Sequence, residues 1–284
     1  NLLTIDNKQL DKKETRQAVI ARSPAVGVTT RQTAGNRLPL PLSGIAMTSY
    51  QVRQIKPEEK NILKQAVKIN NERFGIKSSL SDFTNRAKNG IVFGCFNEKK
   101  KIVGSLCCLL TYYKDVLSFN SYDEATGNGV FNNVRKDGDA LLCLAISVRP
   151  DSLKKDIDSR VEQDVNYGEL LKIAPAEIEK YLAKEIDHVI SFHQKPKGGL
   201  PGAKIIKVLS ESRPQDHEAV GYNVLLEYPT ISNNINIVIG GTEKPSIQLI
   251  EYALLEASRR NIKHVLAFSR PAGFKSYLQE LIGK

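Results

Sequence analysis

The stretch Leu141-Leu-Cys-Leu-Ala-Ile-Ser-Val-Arg-Pro150 decides the fold. Its first eight residues form a short, nearly continuous apolar run, which is the pattern of a strand covered on both faces rather than one exposed to water. A strand of that kind needs helices against it. One is supplied by the segment that starts at Ile247, where Ile247, Ile250, Ala253, Leu254 and Ala257 fall on one helical face. Arg259 and Arg260 suit the negative end of that helix, Asn261 can take a left-handed cap, and Ile262 to Phe268 reads as a second apolar strand. Two buried strands and an amphipathic helix predict an α/β (α+β) fold.

Working outward, Ser49 to Ile55 alternates like a strand, and Pro57-Glu58-Glu59 opens a helix whose buried face carries Ile62, Leu63, Ala66, Val67 and Ile69. Gly90 to Phe96 and Lys101 to Thr111 are strand-like runs joined by the polar turn Asn97-Glu-Lys-Lys100, a hairpin. After the central strand come helical segments near 153–165 and 175–186, then His188-Val-Ile-Ser-Phe-His193, the turn Lys197-Gly-Gly-Leu-Pro-Gly202, and strands near 203–209 and 221–228. Residues 1–48, with Leu38-Pro-Leu-Pro-Leu42 among Ser, Thr and Gly, read as a linker or extended arm. The globular body is expected over 49–284, with 151–239 as a second, smaller β-rich subdomain or a rearranged segment.

Composition excludes several classes. With 284 residues, 41% of them hydrophobic and 25% charged, the chain can bury a core, and no apolar run approaches the roughly 20 residues of a membrane helix. It starts at Asn1 with neither Met nor a hydrophobic signal core, so it reads as an excised internal fragment of a non-membrane, cytoplasmic protein. Cys95, Cys107, Cys108 and Cys143 all lie in apolar strand-like runs and lack zinc-site spacing; buried free thiols and no metal are expected. Of the net charge of +10, the first 49 residues carry +4, from seven cations against three anions. The rest is spread thinly, without Trp or interleaved aromatic and basic residues, so a phosphate-bearing cofactor or an acidic carrier protein is favoured over nucleic acid.

Several linked pieces carry a more specific resemblance. They are Phe192-His193 followed by Gly202-Ala203; Arg213-Pro-Gln-Asp216 followed by Gly221-Tyr-Asn-Val-Leu-Leu-Glu-Tyr228; Phe268-Ser-Arg-Pro-Ala-Gly-Phe274; and Thr126-Gly-Asn-Gly-Val-Phe131 with Gly138-Asp139. Over roughly 50–284 the chain resembles the GNAT acyltransferase superfamily, in particular the GNAT-like domains of curacin-type polyketide synthase loading modules. The resemblance implies a mixed central sheet with splayed central strands flanked by helices. It also implies an enzyme that decarboxylates malonyl-type CoA or moves an acyl group to the phosphopantetheine thiol of an acyl carrier protein, within or beside other synthase modules. His193 corresponds to the family's catalytic histidine, Ser269 to a position that usually bears a threonine, and Arg213 to a functional arginine. Acyl-CoA, malonyl- or acetyl-, is the implied co-substrate, held at Val148, Gly240, Gly241, Lys244 and Ser246. Two departures stand out. The segment bearing Ser269 precedes the His193 segment in the family and follows it here, and Gly240-Gly-Thr-Glu-Lys-Pro-Ser-Ile-Gln248 replaces the usual Gln-x-x-Gly-x-Gly loop.

The residues admit this chemistry on their own terms. Free N–H groups and the positive dipole end of a helix bind phosphate, which suits Gly240 to Ser246, although a plain turn and cap has the same sequence. His193 can donate to a thioester oxygen as it gains charge, Ser269 can be a second donor, and Arg213 can clasp a carboxylate. A histidine satisfied at a strand end, a turn serine and a surface arginine are the plain alternatives, and His188, His217 and His264 read as structural. No Gly-x-Ser-x-Gly elbow marks a hydrolase. An amine N-acetyltransferase would need a base beside the amine, and the nearest acids to the central strand are Asp137 and Asp139 at its entrance. A catalytically silent interaction domain also remains open.

Overall fold

In the computed structural model the described residues are 50–74, 77–149, 167–196, 200–229 and 244–283. The expected arm over 1–48, the helix near 153–165, and Gly240 and Gly241 lie outside them. The elements run β1 (Tyr50–Gln54), α1 (Lys60–Phe74), α2 (Leu80–Asn89), β2 (Ile91–Asn97), β3 (Ile102–Thr111), α3 (Tyr113–Ser118), α4 (Tyr122–Thr126) and β4 (Ala140–Val148). They continue with α5 (Tyr167–Ala183), α6 (His188–Gln194), β5 (Lys204–Leu209), β6 (Asn223–Tyr228), α7 (Pro245–Arg259), β7 (His264–Ser269) and α8 (Phe274–Ile282).

The strands of the described residues form one sheet in the order β1-β2-β3-β4-β7-β6-β5. The strands expected near 203–209 and 221–228 therefore extend the main sheet beyond β7. Only β4 and β7 are parallel, and their pairing runs from Ala140 opposite His264 to Cys143 opposite Ala267 and stops. Past that point β4 keeps its bonds to β3 as far as Val148 opposite Gly104, while β7 keeps its bonds to β6 as far as Ser269 opposite Val224. The two central strands thus part toward their C-terminal ends. Leu144 is an extra residue in β4, because Cys107 faces Ala145 while Cys108 faces Cys143. Such a bulge bends the strand and sharpens its twist just where the partner is lost. A mixed sheet with splayed central strands and helices on both sides is the GNAT-like arrangement.

Side chains alternate between two cores. One face carries Phe93, Leu106, Cys108, Leu141, Cys143, Leu226, Val265 and Ala267 beneath Ile247, Leu249, Ile250, Ala253 and Leu254 of α7. The other carries Val92, Cys107, Leu109, Leu142, Leu225, Leu266 and Phe268 beneath Leu63, Ala66 and Ile69 of α1 and Phe83 and Ala87 of α2. A smaller cluster joins α5 to α8 through Leu170, Ile178, Tyr181, Phe274 and Leu278. All four cysteines are free and buried, with Cys107 and the adjacent Cys108 on opposite faces. Burial raises the Cys95 thiol to about 12, which leaves it unreactive.

Three expectations shift. Helix α1 starts at Lys60 rather than Pro57, because the Glu59 carboxylate is already held by the Lys56 N–H and the Arg53 guanidinium in the preceding turn. Helix α5 starts before Pro175 and encloses it. Residues 188–194 form a helix, α6, rather than ending a strand, because the Asp187 carboxylate caps it by accepting from the N–H groups of Val189 and Ile190, each at 2.9 Å.

Phe93 ties α7 to the sheet: it is fully buried on β2 and meets Tyr252 edge-on, with ring centroids 5.1 Å apart. Phe93→Ala is expected to cost about 3–5 kcal/mol in urea unfolding; a loss below about 1 kcal/mol would show that α7 is held elsewhere.

Candidate functional site

Parallel pairing puts the free ends of β4 and β7 at the same edge of the sheet, with Val148 on one arm of the opening and Ser269 on the other. The first turns of α7 lie over the β4 arm. A Cβ on Gly104 would meet Ser147 O at 3.0 Å and Val148 Cγ2 at 3.2 Å, so the tight packing against β4 here favours glycine, while Leu249 Cδ1 of α7 stands at 3.4 Å, an ordinary contact. Lys244 caps α7 in an extended conformation without a side-chain cap bond, and Pro245 takes the first helical position. Lys244 is exposed and Ser246 half-buried. Among the predicted cofactor residues, Val148, Lys244 and Ser246 are thus carried by the two elements that meet at this edge.

His193 is in the last turn of α6 and is buried. Its Nδ1 lies 2.6 Å from Tyr228 Oη, and its carbonyl accepts from the Ala203 N–H at 2.9 Å, which fixes α6 against the start of β5. Burial lowers the imidazole to about 4, so it is neutral at pH 7. The Asp187 carboxylate sets the position of this helix. Besides capping α6, it accepts from Tyr181 Oη of α5 at 2.7 Å and from the Gly273 N–H, between β7 and α8, at 3.0 Å. A Cβ on Gly273 would come within 2.6 Å of Tyr181 Oη, so this contact too requires glycine. One buried carboxylate therefore connects the histidine helix to the turn that follows Ser269.

Ser269 ends β7, is buried, and its Oγ has no hydrogen-bond partner among the described residues. Ser269 opposes Val224, and Tyr228 opposes Val265. Directly opposed residues share a face, so Ser269 and the His193–Tyr228 pair lie on the α7 side of the sheet. Val265 and Ser269 are four residues apart, about 13 Å of extended strand. Burial first, and then Cys143, raise the Tyr228 hydroxyl well above its ordinary value.

Arg213 lies on the other side. Its guanidinium stacks 4.6 Å above the Tyr122 ring, which meets Phe268 edge-on, and Phe268 faces α1 and α2. The structure therefore puts His193 and Ser269 on one face of the sheet and Arg213 on the opposite face; Ser269 sits where β4 and β7 no longer bond, whereas His193 is held at the Tyr228 end of β6. Arg213 Nε is buried without a hydrogen-bond partner among the described residues. Arg86 also belongs to this region: it donates to Gly129 O at 2.7 Å, stacks on Phe83 and, with Arg213, opposes the upward push of burial on the Tyr122 hydroxyl.

Sequence reading passed over Asp187, Tyr228, Tyr122 and Arg86. Asp187 had a signal, an Asp just before an apolar turn, whereas the others acquire their roles only through tertiary contact. Of the remaining histidines, His264 binds Glu227 through Nδ1 at 2.8 Å and stacks on Tyr113, while His217 stacks on Tyr167.

The buried histidine has a measurable consequence. Between about pH 4 and the unfolded value near 6.5, the unfolded chain binds a proton at His193 that the native chain refuses, so stability rises with pH across that window. Wild type is expected to lose about 2 kcal/mol more than His193→Gln between pH 7 and pH 4.5 in urea titrations. Equal losses would mean the imidazole is not held neutral.

No protein-family model matches the chain, and no curated protein matches it. Solved structures do. The GphF GNAT-like decarboxylase in complex with isobutyryl-CoA is 17% identical, with 61% of this chain and 96% of that one covered and a TM-score of 0.37. The loading GNATL domain of CurA from Lyngbya majuscula is 18% identical, with 63% and 96% covered and a TM-score of 0.39. An aminoglycoside acetyltransferase, meta-AAC0020, from an uncultured soil metagenomic sample is 14% identical, with 48% and 72% covered and a TM-score of 0.25. At such scores these likenesses carry no functional assignment, and the GNAT-like character of the chain rests on its own mixed sheet, in which β4 and β7 pair in parallel and then part.

Proposed function

We propose that this protein is an acyl-CoA-dependent enzyme that decarboxylates malonyl-type CoA or passes the acyl group to a carrier-protein thiol. The observation that carries this reading is Ser269: a buried hydroxyl without a hydrogen-bond partner among the described residues, at the parted end of β7, on the same face as a neutral histidine. A buried donor left unpaired is costly unless a ligand completes it. Two uncharged donors aimed at a thioester oxygen are what an enolate-forming reaction requires.

In this reading CoA lies along the α7 side, its phosphates toward Lys244, Ser246 and the start of the helix, and the thioester sits in the opening between β4 and β7. The acyl chain passes through that opening toward Tyr122, where Arg213 meets its carboxylate. Decarboxylation breaks the bond between that carboxylate and the α-carbon and releases CO2. The bonding pair moves onto the thioester oxygen, which Ser269 and His193 stabilise, and solvent then supplies the proton that completes the α-carbon. Geometry disfavours the amine N-acetyltransferase alternative. Asp137 binds Tyr112 Oη at 2.7 Å and Asp139 binds the Tyr113 N–H at 2.8 Å, so both acids are engaged at the closed end of β4, away from the opening.

The test is incubation with acetyl-, propionyl- and malonyl-CoA, with and without a phosphopantetheinylated carrier, followed by mass spectrometry. His193→Ala and Ser269→Ala are each expected to lower turnover by about 100- to 1000-fold, and both proteins should still bind CoA. Wild-type turnover in both variants would refute this site. Lys244→Glu should weaken CoA binding in calorimetry, since it places a negative charge beside a phosphate; unchanged affinity would move the phosphates elsewhere.

A further inference from the structure

Tyr228 takes part in none of the steps above, yet among the described residues it is the only group hydrogen-bonded to the His193 ring. It ends β6, is 1% exposed, and lies among Leu226, Val224 and Val265 on the α7 side of the sheet. Among the described residues its hydroxyl has a single hydrogen-bond partner, His193 Nδ1 at 2.6 Å. Two arrangements of protons fit that distance. If Nδ1 carried the proton and donated, the hydroxyl hydrogen of Tyr228 would point into a largely apolar core with no hydrogen-bond acceptor among the described residues, the costlier arrangement. If Tyr228 donates, its hydroxyl hydrogen and the Nδ1 lone pair satisfy each other, and the imidazole proton must sit on Nε2. Both groups are in the state this requires: burial keeps the imidazole neutral and the phenol protonated.

We propose that Tyr228 is a positioning residue that locks His193 as its Nε2–H tautomer, so that the imidazole meets its ligand as an uncharged hydrogen-bond donor and not as a base. Nε2 makes no hydrogen bond to the described protein atoms, so its proton is left for the ligand. The lock also fixes the plane of the ring, because Nδ1 must stay on the hydroxyl. The identity of the ligand, a thioester oxygen, rests on the reading proposed above; the tautomer does not.

The experiment uses the full chain labelled with nitrogen-15 at histidine, with the His193 signals assigned by their loss in His193→Gln. Long-range proton–nitrogen correlation spectra at pH 7 distinguish a protonated ring nitrogen from a bare one. Wild type is expected to show a bare Nδ1 and a protonated Nε2. Tyr228→Phe removes only the hydroxyl and should shift His193 toward the Nδ1–H form. It should also lower kcat by about 10- to 100-fold with little change in KM, the size of loss seen when an orienting partner of a histidine is removed. A wild-type His193 protonated at Nδ1 overturns the proposal, as does a Tyr228→Phe spectrum identical to wild type. The wild-type spectrum decides the matter even where the variant folds poorly. Absence of turnover with every acyl-CoA would remove the functional reading, whereas the expected tautomer would still establish the lock.

Discussion

Four residue pairs of parallel sheet, Ala140–His264 to Cys143–Ala267, hold the two halves of this molecule together. One half is the antiparallel group β1 to β4, and the other is the antiparallel group β5 to β7. Because the joint is short, each half keeps its own twist past Cys143 and Ala267, and the extra residue Leu144 lets β4 follow β3 away from β7. The opening is therefore where two well-bonded ladders diverge, and it needs no strain in either strand to stay open.

What keeps the opening chemically defined is a second constraint, the Asp187 carboxylate. It accepts four hydrogen bonds, two from the start of α6, one from Tyr181 and one from Gly273. Charge-assisted bonds of this kind are stronger than neutral ones. The histidine helix and the turn after Ser269 are thereby referred to the same atoms, although they are distant in sequence. Position is passed on from Asp187 to α6 and from α6 to His193, whose ring also meets Tyr228.

Much of the architecture was legible in the residues. The apolar run at 141–148, the hairpin around Asn97 to Lys100, the face of α7 and the left-handed Asn261, observed at φ 54°, all follow from local pattern. Helix α2 was missed because its buried positions, Phe83, Arg86 and Ala87, include a charge; only its capping box, Ser79 with Asp82, marked it. Strand pairing is another matter. Nothing local states that β7 slots between β4 and β6, and that expectation came from family resemblance. His193 and Ser269 were named on the same ground, but a neutral imidazole cannot be read from Phe192-His193, since it arises from α6 lying on the sheet. Nor can the face taken by Arg213. Its backbone is set by a tight loop in which Arg213 binds Gly221, Asp216 binds Arg213, and Gly221 binds Asp216, which turns the side chain toward Tyr122.

The strand order also governs how this chain reaches its native state. The pairs between β4 and β7 join residues about 120 positions apart, and closing so long a loop precedes any reward from the contacts it makes. Until β7 arrives, β4 and β6 each present an unsatisfied apolar edge, Leu141 to Cys143 on one and Val224 to Tyr228 on the other. Such edges attract other strands. The halves can therefore gather early while the opening between β4 and β7 forms last, and in that interval the chain is most exposed to aggregation and to pairing with a second copy.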